Sequence, residues 1–187
     1  EQKVTVDGIT HEVPSPFIVI ATQNPFGSAG TWMLPEAQLD RFMVCLSMGY
    51  PSHEDAVALL KGEVWHHVGE ISKVISLGEL KEWQHRAEAV YVHDAIYDYM
   101  VTLTERTREQ ELFASGASPR ACIALLRMAR SMALLRGRDF VTAEDVQHVL
   151  PAVLRHRVKL SSRARAEGRS VEECLTVLLH EVKSPRC

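Results

Sequence analysis

The spacing of apolar residues changes near residue 50, and this change limits the folds that the chain can adopt. Residues 17–22 and 42–48 are nearly continuous apolar runs, which predict two strands buried on both faces of a sheet. Residues 3–13 alternate apolar and polar side chains around an Asp-Gly pair, which predicts a hairpin with a type I′ turn. After residue 50 the spacing becomes helical. We therefore predict an α+β fold, in which a fragment of an α/β core, a hairpin plus two strands, precedes an all-α bundle.

Capping residues mark where the predicted helices begin. A Ser or Thr precedes most helical segments, often with Glu or Asp three positions later, as in an N-cap or a capping box. Helices are predicted over 35–41, 77–88, 92–109, 143–157 and 171–182, together with one that begins after Ser52 and one that runs from Pro119 to near Gly137. We divide the chain into residues 1–51 (the end of the core), 52–75 (a connecting helix or linker) and 76–187 (a helical domain).

Two of these helices carry apolar stripes that are predicted to face the core. On helix 92–109 the stripe is Ile96, Met100, Leu103 and Thr107, and on the helix after Pro119 it is Ile123, Leu126, Met128 and Leu134.

Composition is that of an ordinary soluble protein, with 46% hydrophobic and 24% charged residues and a net charge of -3. No apolar run is long enough to span a bilayer, and no signal peptide is recognisable, so we expect no membrane contact. The four cysteines (Cys45, Cys122, Cys174 and Cys187) lack CxxC spacing, and the nine histidines are dispersed. This pattern argues against a disulfide framework or a metal site and fits a reducing cytoplasm.

Positive charge is concentrated between Ser118 and Ser170. This segment holds eleven Lys/Arg and four Asp/Glu, a net charge of +7, whereas the rest of the chain carries -10. Such a segment can meet phosphates, nucleic acid or an acidic neighbour. The alternative, which we favour for most of these residues but not for Arg120, is that these side chains lie on solvated helix faces.

Several motifs follow one another in the order found in one protein family. In sequence they are PFIVIATQNP (16–25), GTWMLPEAQLDRF (30–42), GYP (49–51), GASPRA (116–121), GRDFVTAEDV (137–146) and LPAVLRHRVKL (150–160). Together they resemble the MoxR family of AAA+ ATPases, which are relatives of the magnesium-chelatase ATPase subunits. The resemblance implies the C-terminal part of such an ATPase, in which the end of the nucleotide-binding core is followed by a helical lid.

The resemblance also implies a function for the parent protein. MoxR relatives hydrolyse ATP with Mg²⁺ in a ring, here expected to be a hexamer, and act as chaperones that remodel or mature client proteins, often with von Willebrand factor A-type partners. The chain has neither a phosphate loop of the form GxxxxGK followed by Ser or Thr nor an apolar strand that ends in Asp-Glu. We therefore expect polypeptide upstream to supply both, and the isolated chain to be inactive.

Three residues match functional positions of the family. Asn24 follows a predicted strand, at the edge where ligands of α/β sheets bind, and resembles sensor 1, which would orient the attacking water or touch the γ-phosphate. Arg41 resembles the arginine finger, which would reach the γ-phosphate of the neighbouring subunit. Arg120 lies in the first turn of its predicted helix and resembles sensor 2, which would approach a phosphate held by the core.

Each of the three has a structural alternative. Asn24 precedes Pro25 and could simply form a turn, Arg41 could form a surface ion pair with Asp40, and Arg120 could be an ordinary helix-surface arginine.

Two acidic residues near Arg41 could serve ring assembly. Glu36 and Asp40 could pair with basic lid residues of a neighbouring subunit.

Two other functions stay open. The chain could be a non-enzymatic helical module that docks onto an ATPase or a partner. It could also bind nucleic acid through residues 155–169, although we see no helix-turn-helix and no series of aromatic residues for base stacking.

Overall fold

A computed structural model of the chain describes residues 3–23, 34–63 and 72–185. Within these ranges it has eight helices and two small antiparallel sheets. The strands are β1 (Lys3–Val6), β2 (Ile9–Glu12), β3 (Phe113–Ser115) and β4 (Lys159–Leu160). The helices are α1 (Glu36–Leu39), α2 (His53–Leu60), α3 (Leu77–Ala89), α4 (Asp94–Glu109), α5 (Pro119–Leu135), α6 (Ala143–Leu154), α7 (Ser162–Ala166) and α8 (Val171–Glu181). No described helix has the length and the apolar character that crossing a membrane requires.

The predicted hairpin is present. β1 pairs with β2 from Lys3 opposite Glu12 to Val6 opposite Ile9. The two turn residues between them, Asp7 and Gly8, have φ angles of 51° and 80°. A type I′ turn needs positive φ at both central positions, so the Asp-Gly pair explains where the chain reverses.

The two apolar runs do not form the predicted strands. Residues 17–22 and 42–48 have no regular secondary structure, and Ile18 and Ile20 are 65% and 86% exposed. A strand is stable only when its backbone groups pair with a neighbour. Among the described residues, the only strand partners are those of the two small sheets, so neither run has a ladder to join.

The predicted helix starts agree with the structure. The capping boxes of α3 and α8 are complete: Ser76 Oγ accepts from the Glu79 N–H, and Ser170 Oγ accepts from the Glu173 N–H, each over 3.1 Å. Ser118 caps α5, and Pro119 occupies the first helical position. The ends agree less closely, since α6 stops at Leu154 rather than near 157.

The core lies between α4, α5, α6 and α8. The predicted stripe of α4 is confirmed, because Ile96, Met100, Leu103 and Thr107 are all buried. The stripe predicted for α5 is confirmed only in part, because three of its four residues are partly buried against the core. The buried face of α5 consists of Ala121, Ala124, Leu125, Ala129 and Ala133, whereas Ile123 is 54% exposed and Leu126, Met128 and Leu134 are only partly buried. Alanine allows neighbouring helices to approach closely, so the small residues face the core.

A small sheet joins the start of α5 to the end of α6, and the sequence analysis did not predict it. β3 and β4 pair at Phe113–Leu160 and Ser115–Lys159. Strands of three and two residues are too short to show a period-2 pattern. The sheet holds the segment after α6 against the segment that leads into α5.

A candidate phosphate-binding junction between α1, α5 and α6

The structure tests the placement of two of the three predicted site residues. Asn24 lies outside the described residues, so its role as sensor 1 stays a prediction. Arg41 lies two residues after the last residue of the short helix α1, and its N–H donates to the Gln38 carbonyl over 3.1 Å. Arg120 is the second residue of α5, and its N–H donates to Ser118 Oγ over 3.2 Å. Both arginine side chains are exposed.

A direct contact joins the segments that carry the two arginines. Ser118 Oγ lies 2.8 and 3.0 Å from the two carboxylate oxygens of Asp40. Asp40 is the residue before Arg41, and Ser118 is the N-cap of the helix that carries Arg120. The structure therefore joins the two segments that carry the arginines, although they lie 78 positions apart in sequence at this contact.

The GASPRA motif contacts the end of α4 and sets the start of α5. The Ala117 N–H donates to Thr107 Oγ1, and Arg108 Nε donates to the Ala117 carbonyl, each over 2.9 Å. A Cβ atom at Gly116 would lie 2.7 Å from the backbone nitrogen of Arg108. Only glycine fits there, and this close approach fixes Ser118 against the end of α4.

Arg157 completes the junction from the end of α6. Its Nε donates to Asp40 Oδ1 over 3.1 Å, and its two terminal nitrogens donate to the carbonyls of Asp40, Phe42, Met43 and Val153. The side chain is 2% exposed. In the sequence, Arg157 is only one of the eleven basic residues between Ser118 and Ser170. The LPAVLRHRVKL motif was the available signal, but it did not say which of its basic residues turns inward.

His156 supports the same segment. Its Nε2 lies 3.1 Å from the Phe42 carbonyl, and its Nδ1 is buried without a partner among the described residues. Burial lowers the pKa of His156, and the contact with the Phe42 carbonyl only partly opposes that shift. A neutral imidazole that donates through Nε2 fits this environment.

Two acidic residues predicted to pair across subunits pair within the chain. Asp40 binds Arg157 and Ser118, and Glu36 forms an ion pair with Lys159. The alternative of an Asp40–Arg41 ion pair is also not seen among the described contacts. The lid of the same chain lies close enough to satisfy these carboxylates, which sequence could not show.

Most of the basic segment is neutralised by nearby acids. Ion pairs join Arg136 and Arg138 to Asp145, Arg155 to Glu172, and Arg163 and Arg169 to Glu167. Three exposed arginines, Arg120, Arg127 and Arg165, have no side-chain partner among residues 3–23, 34–63 and 72–185. This pairing favours solvated helix faces over a continuous surface for nucleic acid.

The described residues show no metal centre. No group of three or more His, Cys, Asp or Glu lies close enough to hold an ion within those ranges. Cys45, Cys122 and Cys174 are free thiols. The exposed guanidinium groups of Arg41 and Arg120 fit an anionic phosphate.

The fold and the junction match two parts of one class of protein. Residues 1–44 match the model of the ATPase family associated with various cellular activities (AAA), and residues 105–176 match that of the AAA lid domain. The chain is thus an AAA-type ATPase segment with a helical lid.

Individual relatives narrow the class. The chain is 39% identical to Chaperone MoxR1 of Mycobacterium tuberculosis (strain ATCC 25618 / H37Rv), over 100% of this chain and 52% of the relative. It is also 39% identical to the uncharacterised protein YeaC of Bacillus subtilis (strain 168), over 99% of this chain and 58% of the relative. The chain belongs to the MoxR family of AAA+ ATPases.

A solved structure has the same fold. The crystal structure of a proposed ATPase from Cytophaga hutchinsonii ATCC 33406 superposes with a TM-score of 0.87 at 31% identity, over 99% of this chain and 59% of that one. The chain spans about half the length of the curated relatives it matches.

Proposed function

We propose that the chain supplies phosphate-binding arginines and the helical lid to a ring-forming ATPase that remodels or matures client proteins. Membership of the MoxR family supports the class of activity. The observation that supports the proposal is the Ser118–Asp40 contact, because it joins the segment that carries Arg41 to the start of the helix that carries Arg120.

The chemistry of phosphoryl transfer suits two exposed arginines. Charge spreads over the oxygens of the transferring phosphoryl group, and catalysis is mostly positioning and charge stabilisation. A guanidinium is always charged and presents a planar fork of donors that matches those oxygens. In this proposal Arg41 contacts the γ-phosphate held by a neighbouring subunit, and Asn24 orients the attacking water in its own subunit.

The position of Arg120 changes one detail of the sequence-based view. Sequence analysis assigned Arg120 to a phosphate held by its own core and Arg41 to that of a neighbour. Because the Ser118–Asp40 contact joins their segments, we propose that both arginines serve the same phosphate.

The 187 residues alone should not hydrolyse ATP, because they contain no phosphate loop. Sequencing the genomic DNA upstream of Glu1 should reveal one. A phosphate-release assay on the purified chain should detect no magnesium-dependent turnover, and clear turnover would overturn this part of the proposal.

The main experiment compares arginines in the natural polypeptide that contains this chain. Arg41→Ala should lower kcat about 10³-fold or more while nucleotide affinity stays nearly unchanged. Arg120→Ala should also lower kcat. The matched control is Arg127→Ala, two turns further along α5, which is equally exposed and should keep normal turnover. Normal turnover in Arg41→Ala would overturn the proposed function.

An arginine finger that acts on the nucleotide of a neighbouring subunit requires an oligomer. Each site then needs a neighbour, so we propose a ring, with six subunits as the expected number, in the presence of ATP and Mg²⁺. Native mass spectrometry measures the subunit number directly. A von Willebrand factor A-type partner is a further proposal from the family, and co-purification with such a protein from the same genome tests it.

A further inference from the structure

We propose that Asp40 and Arg157 are positioning residues that hold Arg41 at a set distance from Arg120. This inference rests on the proposed function for its catalytic meaning, but its structural part can be tested separately. We call the three residues Asp40, Arg157 and Ser118 the clasp.

The guanidinium of Arg157 uses its full donor capacity at the clasp. An arginine side chain has five N–H donors. Arg157 makes five hydrogen bonds: one to the Asp40 carboxylate, and four to the carbonyls of Asp40, Phe42, Met43 and Val153. A group that is buried and fully bonded in this way cannot also bind a phosphate. Arg157 therefore serves the geometry of the segment around it.

The acceptors of Arg157 flank Arg41. The carbonyls of Asp40 and Phe42, one residue before and one after Arg41, both receive bonds from the same terminal nitrogen. Residues 42–48 have no strand partner within the described chain, so their backbone lacks the usual ladder. The hydrogen bonds of the clasp hold this backbone instead of a ladder, together with the bond of 2.9 Å from the Cys45 N–H to the Ala152 carbonyl on α6.

Asp40 transmits this restraint to α5. Its carboxylate accepts from Arg157 Nε and from the hydroxyl of Ser118, which also caps the helix that carries Arg120. One carboxylate thus links the end of α6, the segment of Arg41 and the start of α5.

The chemistry of the clasp favours specificity over bulk stability. Burying an ion pair costs desolvation energy, and a well-packed apolar pair of similar volume is often as stable. Apolar side chains, however, cannot bond four backbone carbonyls in defined directions. Burying Arg157 is worth its desolvation cost if residues 40–43 must be held in one position. Such a position is required when Arg41 has to contact a phosphate.

The structural part is tested by amide hydrogen exchange in the 187-residue chain. Asp40→Asn keeps the shape of the side chain and removes its charge, and Arg157→Lys keeps the charge but has only three donors. Each should speed exchange of the Cys45 amide about tenfold or more, because opening of the segment becomes easier. The matched controls are Asp98→Asn and Arg127→Lys, at exposed positions, which should leave it unchanged. An unchanged Cys45 exchange rate in both clasp variants would overturn the proposal.

The catalytic part is tested by a double-mutant cycle on kcat in the natural polypeptide. Asp40→Asn should lower kcat about tenfold at unchanged nucleotide affinity, and should cause no further loss when added to Arg41→Ala. A residue that only stabilised the fold would cause the same loss in both backgrounds, and that result would contradict the positioning role. Full turnover in Asp40→Asn beside an inactive Arg41→Ala would also contradict it.

The two failures can be told apart. Normal turnover in Arg41→Ala refutes the proposed function and with it the catalytic role of the clasp, while the Cys45 exchange rate still decides whether the clasp holds the segment.

Discussion

At the scale of single residues, the lid depends on one buried carboxylate. Asp145 is fully buried and accepts hydrogen bonds from Arg136, Arg138 and the Thr142 backbone. Burial by itself would raise the pKa of Asp145, but the bonds from Arg138 and Thr142 outweigh it, so the pKa lies below its usual value. A carboxylate with a lowered pKa stabilises the fold above the pKa of the unfolded chain and loses that effect as pH falls through the folded-state pKa.

Asp145→Asn should therefore lower the free energy of unfolding by about 3 kcal/mol at pH 7, because two arginines lose their buried partner. The difference from the unmodified chain should shrink as pH falls below the ordinary aspartate range. Urea unfolding at pH 7 and pH 3 measures it. Asp98→Asn, on the exposed side of α4, is the control, and an equal difference at both pH values would contradict the ionic role.

At the scale of elements, the connection between α4 and α5 can contact the end of α4 because Gly116 has no side chain. A Cβ at Gly116 would meet the Arg108 nitrogen and the Thr107 carbonyl carbon at 2.7 Å each. Backbone atoms cannot move aside as a flexible side chain can, so an added methyl group would push the start of α5 away from α4.

Gly116→Ala should lower the free energy of unfolding by about 2 kcal/mol, as overpacking in a tight site does. Gly78→Ala in α3 is a matched control, because the nearest atom to its Cβ is 3.8 Å away. Alanine favours helix over glycine, so this control should be neutral or stabilise by up to about 1 kcal/mol. Circular dichroism during thermal unfolding measures the stability of both variants. An equal change in stability for Gly116→Ala and Gly78→Ala would contradict the steric explanation.

At the scale of the whole molecule, the buried core and the N-terminal segments are separate in sequence. Among residues 3–23, 34–63 and 72–185, every buried core residue lies between Val90 and Val182, and Val44 is the one residue before Val90 that packs against that core. We therefore propose that residues 76–187 form the folding unit that the sequence analysis delimited.

A polypeptide of residues 76–187 should keep the helical circular dichroism of the lid and unfold cooperatively, because it retains the core. Its midpoint should fall modestly, since Arg157 loses Asp40 as a partner. The 187-residue chain measured under the same conditions is the reference. A spectrum without helix would show that residues 1–75 are needed for the lid to fold.

Local signals were enough for the features that depend on neighbours in sequence. The turn at Asp7-Gly8 follows from positive φ angles, and the helix starts follow from capping at Ser76, Ser118 and Ser170. The motif resemblance likewise identified the family, because short motifs in a given order are a sequence property. The stripe of α4 was predicted for the same reason, while on α5 the most deeply buried residues are four alanines and Leu125 rather than the predicted stripe.

The sequence by itself determined the hairpin turn, the helix starts and the family, since each depends on residues within a few positions of one another or on motif order. Only the tertiary structure decided that the apolar runs at 17–22 and 42–48 join no sheet within the described part of the chain, that Asp40 binds Arg157, and that Ser118 binds Asp40. These contacts link residues 78 and 117 positions apart. Their geometry arises from helix packing, which no local pattern of side chains encodes.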